Sequence, residues 1–265
     1  MTRFFTYFAY YLETLVKRLG GRGQLNPHKN GEYKILEAVI KMSGEQVVLF
    51  DGGANVGDYA REFKRLCERH IKKANLILIE PFPSTRKVLE DNLGSADYKL
   101  FEVALGESAK DVDFYFDSDV TNVNGSNSVY KHYYLNTGKI QVKQDTLDNI
   151  ASQMGTKNID MMKLDIEGSE LNALKGATTL LSSRRIKYIQ LEYNQTWLKG
   201  NSSIEGILDL CQKFGYRLFR VSQKGLISIP SYHYILDDFV YSNLFLVSND
   251  IDLPLPVIRK ALPFI

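Results

Sequence analysis

Three short runs carry most of the chemistry legible in this chain. Phe50-Asp51-Gly52-Gly53-Ala54-Asn55-Val56-Gly57 sets one acid beside three glycines. Glycine takes up backbone angles closed to other residues and lets the main chain come close to a ligand. The run follows an apolar stretch, Val47 to Phe50, and opens one of helical periodicity. A helix start offers unpaired N–H groups and a partial positive charge, which suit a carboxylate or a phosphate. Ile79-Glu80-Pro81 ends the next apolar run, and an acid there can accept both hydrogen bonds of a ribose diol. Lys163-Leu164-Asp165-Ile166-Glu167-Gly168 and Leu191-Glu192-Tyr193-Asn194 end two later runs, each with an acid.

Two nucleotide-type cofactors compete for the glycine loop. A dinucleotide fingerprint requires G-x-G-x-x-G. Counting from Gly53, the middle glycine is missing, and Asp51 would set negative charge against a pyrophosphate. S-adenosyl-L-methionine carries a sulfonium and an ammonium that tolerate an acid, and its carboxylate can use the helix start.

Asp165, Glu167 and Glu192 allow three readings. One of them accepts a hydroxyl proton as general base; together they bind a hard cation such as magnesium; or they cap helices. Glu167 precedes Gly168 and a helix expected near Ser169, so helix-start chemistry accounts for part of the cluster. Catalysis or substrate contact is preferred to a metal site. Of the four histidines, His28 and His70 fall in a linker and at a helix end, while His132 and His233 fall in loops from which either could reach a site.

Strands and helices must position these groups. Apolar runs at 47–50, 76–79, 98–103, 159–164, 186–191, 216–221 and 243–247 have strand character. Helical spacing recurs at 35–42, 56–71, 85–93, 170–174 and 204–214. Alternation of this kind implies an α/β fold, a doubly wound and mostly parallel sheet. The last two strands lack a strong helix between them, so an antiparallel edge is expected. Between the third and fourth strands lies a long insertion with strands at 112–116 and 140–142, a polar loop at 117–128 and a helix at 146–154. Long loops in compact domains are often lids, and the segment from Asp117 to Tyr134 is expected to close over an acceptor.

Composition narrows the class further. The 265 residues suffice for one large domain. With 33 basic and 31 acidic residues the net charge is +2, so no global field draws the chain to nucleic acid. A nucleic-acid partner is not expected, and an Asn/Asp-Pro-Pro-Tyr run is absent. Cys67 and Cys211 stand in helical patterns without a CxxC neighbour, which points to reduced, buried thiols in a cytoplasmic protein. Phe4 to Leu15 is aromatic-rich but too short to span a bilayer. It packs on the domain or a second subunit, or lies on a membrane surface, and packing is preferred. The expected organisation is an N-terminal helical segment and linker over 1–30, a main domain over 31–250 and a tail over 251–265.

The order of these motifs resembles the FkbM-type methyltransferase family. Asp51 to Gly57, Ile79-Glu80-Pro81, Val103-Ala104-Leu105-Gly106, Asp145-Thr146-Leu147-Asp148 and Lys163 to Glu170 follow one another as in that family. The resemblance runs from about Val47 to Val247. It implies a seven-stranded, Rossmann-like class I methyltransferase fold, S-adenosyl-L-methionine as cofactor, and O-methylation of a hydroxyl on a sugar, glycan or natural product. Carried over, Asp51, Gly52, Gly53, Asn55 and Gly57 cradle the methionine part, Glu80 with Pro81 holds the ribose, and Ala104 lies near the adenine. Asp165 falls where donor and acceptor meet, with Glu167 and Glu192 beside it. The alternatives are an NAD-dependent oxidoreductase, disfavoured by the missing glycine and by Asp51, and a non-catalytic binding protein that keeps the fold.

Overall fold

The computed structural model describes residues 11–12, 22–116, 127–132 and 138–260, the side chains of 259 and 260 excepted. Its main sheet is built from β1 (Gln46–Gly52), β2 (Lys73–Ile79), β3 (Tyr98–Phe101), β7 (Ile159–Leu164), β8 (Ile186–Tyr193), β9 (Tyr216–Ser222), β10 (Gly225–Ser228), β11 (Ser242–Ser248) and β12 (Val257–Lys260). The order across it is β12-β10-β9-β11-β8-β7-β1-β2-β3. The stretch from β3 to β8 is parallel throughout.

Two features differ from expectation. The sheet has nine strands rather than seven, because the hairpin partner β10 and then β12 extend one edge. β12 comes from the stretch expected as a tail. The antiparallel strand β11 is not at the edge but between β8 and β9, paired with both. The helix Ile204–Phe214 carries the chain from β8 past one strand position to β9. β11 returns without a crossover helix, so it fills the gap in the opposite direction.

Strand register sorts the side chains between two cores. Ile79, Leu164, Leu191 and Leu244 share a row, with Gly52 between the first two. They belong to the cluster covered by helices Leu147–Gln153, Glu170–Lys175, Thr178–Ser182 and Ile204–Phe214. The neighbouring row, Asp51, Lys163, Gln190, Phe245 and Phe219, faces the opposite way. There the helices Glu32–Met42 and Asp58–Arg69 cover the sheet with Ile35, Leu36, Val39, Ile40, Tyr59, Phe63 and Leu66. Their apolar residues recur at helical spacing, which puts them on one buried stripe.

The insertion forms its own small sheet. β4 (Ala104–Leu105) and β5 (Lys110–Phe116) flank β6 (Gly138–Asp145). β3 stops at Phe101, and Ala104 and Leu105 turn away to pair with Gln144 and Asp145. Thr146 caps the following helix by accepting the Asn149 N–H at 3.1 Å. Cys67 and Cys211 are free and buried. No helix of the described residues is long and apolar enough to cross a membrane. The aromatic N-terminal segment, Tyr11 and Leu12 apart, and most of the expected lid lie outside the described residues.

Candidate active site

The glycine loop sits at the carboxyl end of β1. The N–H groups of Gly53 and Ala54 donate to the Ile79 carbonyl at 2.9 and 3.1 Å, which ties the loop to β2. Gly53, with φ +78°, has no room for a side chain: a Cβ would lie 2.0 Å from the Asp165 carbonyl oxygen. Asn55 is also left-handed, with φ 49°, and its N–H donates to Glu80 Oε2 at 3.0 Å. Gly57, φ +85°, precedes the first residue of the helix Asp58–Arg69. That helix therefore starts two residues later than its periodicity suggests.

A cleft opens here. Gly53, Asn55, Glu80, Pro81, Ala104, Asp165, Glu167 and Glu192 all line it. Thr85 and Phe114, which sequence reasoning did not single out, also line it. The lining contains four carboxyl groups and, among the described residues, no lysine, arginine or histidine. Asn55 Oδ1 and Thr85 Oγ1 are buried polar atoms with no hydrogen-bond partner among the described residues.

Asp51, Gly52 and Gly57 fall outside this lining. Gly52 lies under the loop, where a Cβ would meet Leu105 at 2.7 Å and Leu164 at 2.8 Å. Gly57 faces Leu89 and Leu93 of the helix Pro83–Leu93, both at 3.5 Å from a Cβ. Asp51 is wholly buried on the other face of β1, and neither carboxyl oxygen has a hydrogen-bond partner among the described residues. Burial pushes its carboxyl up to about 6, against the pull of Lys163.

Glu80 uses both oxygens on the backbone, accepting from Asn55 N–H at 3.0 Å and Phe82 N–H at 2.9 Å. Burial raises it to about 7, although the two N–H bonds and Arg86 oppose the shift.

Asp165, Glu167 and Glu192 converge, with one oxygen of each within 4.8 Å of the others. Asp165 also accepts from Lys163 Nζ at 2.8 Å. Burial works against its charge, yet Lys163, Glu192 and their hydrogen bonds hold it below the usual carboxylate range. Glu192 moves the other way: burial and the neighbouring Asp165 push it well up. Glu167 stands in a left-handed turn, φ 51°. The turn is fixed by close packing, since a Cβ on Gly168 would meet the Thr196 carbonyl oxygen at 2.6 Å.

Helix-start chemistry here belongs to another residue. Glu170 accepts the N–H groups of Ile166 and Gly168 at 2.9 and 3.0 Å, while Glu167 lines the cleft. Burial pushes Glu170 up to about 8. Residues 127–132 dock on the same turn: Ser128 Oγ donates to the Glu167 carbonyl at 2.8 Å, and His132 Nε2 lies 3.2 Å from it. Tyr130 accepts from Asn172 Nδ2 at 2.7 Å. His233 instead caps a short 3₁₀ turn, accepting from Ile235 N–H at 3.3 Å. His70 pairs with Glu37 at 2.9 Å. His28 packs edge-on against Tyr33 at 4.8 Å.

The chain is similar to two characterised transferases. One is the 2-O-methyltransferase NoeI of Sinorhizobium fredii, 30% identical over 180 residues, 63% of this chain and 72% of that one. The other is the hexuronic acid methyltransferase AglP of Haloferax volcanii, 27% identical over 161 residues, 61% of this chain and 62% of that one. A crystal structure of methyltransferase FkbM from Methylobacillus flagellatus aligns with a TM-score of 0.47 at 16% identity, over 76% of this chain and 44% of that one. The methyltransferase FkbM domain model matches residues 51–218, from the glycine loop through the carboxylate cluster to the middle of β9, and the chain belongs to the FkbM methyltransferase family.

Proposed function

We propose that the chain uses S-adenosyl-L-methionine to methylate a hydroxyl of a sugar or glycan. The observation that carries this reading is one cleft lined by the glycine loop and Glu80 together with Asp165, Glu167 and Glu192. Its residues fit the cofactor. Four carboxyl groups with no basic neighbour in the described lining suit a ligand of net positive charge. Asn55 Oδ1 and Thr85 Oγ1 offer hydrogen bonds that no other described residue uses. One relative is named for 2-O-methylation and the other for a hexuronic acid, and the two together support a sugar hydroxyl as acceptor.

When bound, the cofactor supplies an electrophilic methyl on a sulfonium. Holding the partners and taking up a proton is the protein's share. Gly53 and Asn55 would hold the methionine part, Glu80 the ribose diol, and the backbone at Ala104 the adenine edge. Asp165 would accept the hydroxyl proton, with Glu167 and Glu192 supporting the acceptor. No metal is needed on this reading, because Lys163 already sets a cation against Asp165.

Calorimetric titration with S-adenosyl-L-methionine, and with NAD for contrast, tests the cofactor. Transfer of a radiolabelled methyl group to a panel of neutral and uronic oligosaccharides tests the acceptor. Binding of NAD alone would replace the reading with a dehydrogenase. Cofactor binding with no transfer to any sugar would remove the glycan assignment.

A further inference from the structure

Lys163 is the next-to-last residue of β7, and Asp165 follows the last, Leu164. The Lys163 ammonium lies 2.8 Å from Asp165 Oδ2 and 5.0 Å from the centre of the Tyr59 ring. The lysine side chain is 9% exposed, while Asp165 keeps 30% of its side chain open. Gln190, its neighbour across β8, and the ring of Tyr59 confine it. Glu192 accepts instead from a neutral amide, Asn194 Nδ2 at 3.3 Å, and shares a hydrogen bond with Asp165.

We propose that Lys163 is a positioning residue for the methyl transfer: its ammonium keeps Asp165 as the ionised member of a carboxyl pair whose proton stays on Glu192. This rests on the reading of Asp165 as the base. Two carboxyl groups this close do not both ionise at neutral pH, and a neighbouring cation decides which one keeps its charge. The surroundings sharpen the choice. Asp51 on β1 and Glu32 on the helix Glu32–Met42 face the same ammonium, Glu167 adds negative charge beside Glu192, and Tyr59 and Tyr241 close the group. A single lysine among these carboxyls cannot compensate all of them, so its hydrogen bond to Asp165 selects the base. Glu192 then presents an O–H donor, and Asp165 an oxygen open to the cleft. Glu32 lies before the part of the chain that matches the family model, so the electrostatic setting of this pair extends beyond the shared domain.

The test is a carbon-13 NMR titration of side-chain carboxyls in the full-length protein, with Asp165→Asn and Glu192→Gln assigning the two signals. In the wild type, Asp165 should titrate below an ordinary aspartate while Glu192 stays protonated at neutral pH. Lys163→Met should raise the Asp165 midpoint by about 1–3 pH units, and Lys163→Arg should restore it. A wild-type Asp165 that titrates at or above the ordinary value overturns the proposal, and so does a Lys163→Met midpoint equal to that of the wild type. Should Lys163→Met fail to fold, the wild-type and Lys163→Arg titrations decide, because a Glu192 found ionised at neutral pH is equally fatal. No turnover is needed for any of these readings. A fully active Asp165→Asn enzyme would instead overturn the base assignment beneath it.

Discussion

Glu80 accepts the Asn55 N–H at 3.0 Å, so the end of β2 and the glycine loop after β1 form one unit. The acid does two things at once. It holds the loop in its left-handed turn, and it faces the cleft where a ribose is expected.

Removing it should therefore weaken S-adenosylmethionine and S-adenosylhomocysteine about equally, since both carry the ribose. Loss of a charge-assisted hydrogen bond is worth about 1.5–3 kcal/mol. Glu80→Ala should fall in that range by calorimetry for both ligands. A selective loss for one of them would assign the residue to the sulfur end instead.

The pH dependence of binding has a definite sign. Burial raises Glu80 to about 7, so the group is neutral below that pH and ionised above it. Ribose hydroxyls donate better to a carboxylate, and affinity should rise as pH climbs through 7. For the protein alone the sign is opposite: a raised carboxyl favours the folded state at low pH, and that contribution is lost as pH rises from the ordinary value of 4.5 through 7. Glu80→Gln should flatten both profiles, and an unchanged binding profile would remove Glu80 from the cause.

Gly53 is a packing position as well as a cofactor position. Any Cβ meets the Asp165 carbonyl oxygen at 2.0 Å on a backbone with φ +78°. Gly53→Ala should lower stability by about 1–3 kcal/mol in urea unfolding, together with cofactor affinity. Gly53→Val, with a branched side chain at the same place, should do worse. Wild-type stability in Gly53→Ala would mean that the loop and the end of β7 are further apart.

Asp165→Asn should keep the fold and most of the cofactor affinity and lose turnover by about 10²–10⁴-fold, the usual contribution of a general base. Dialysis against a chelator should leave wild-type turnover intact. Activity that disappears with the chelator and returns with magnesium would make the three carboxylates a metal site.

Glu170 is a stability residue beside the site. Its two oxygens satisfy the N–H groups of Ile166 and Gly168. Glu170→Ala leaves both donors unpaired, the one on Gly168 buried, at a cost of about 1–3 kcal/mol for a buried unpaired group. The loss should appear in thermal unfolding, with Glu170→Gln in between.

Local features were legible in the sequence. Periods of helix and strand located most of the core elements, because the burial of one face writes itself directly into apolar spacing. Turn chemistry located the loop at 51–57 and the acids at strand ends, since glycine and acid placement depends on neighbours a few residues away. Eight of the site residues named from sequence accordingly line one cleft. Pairing between distant strands decided the rest. The direction and place of β11, and the two added edge strands, depend on which segments meet across the sheet. Asp51 turned from the cleft because strand alternation points it at Lys163 and Glu32, and Glu32 comes from a helix outside any motif. The choice of Glu170 over Glu167 for the helix start followed from the geometry of a left-handed turn packed on Thr196 and Gly200. A residue type and its spacing state what a side chain can do, but which partner it meets is settled by contacts made across the sheet, far apart in the chain.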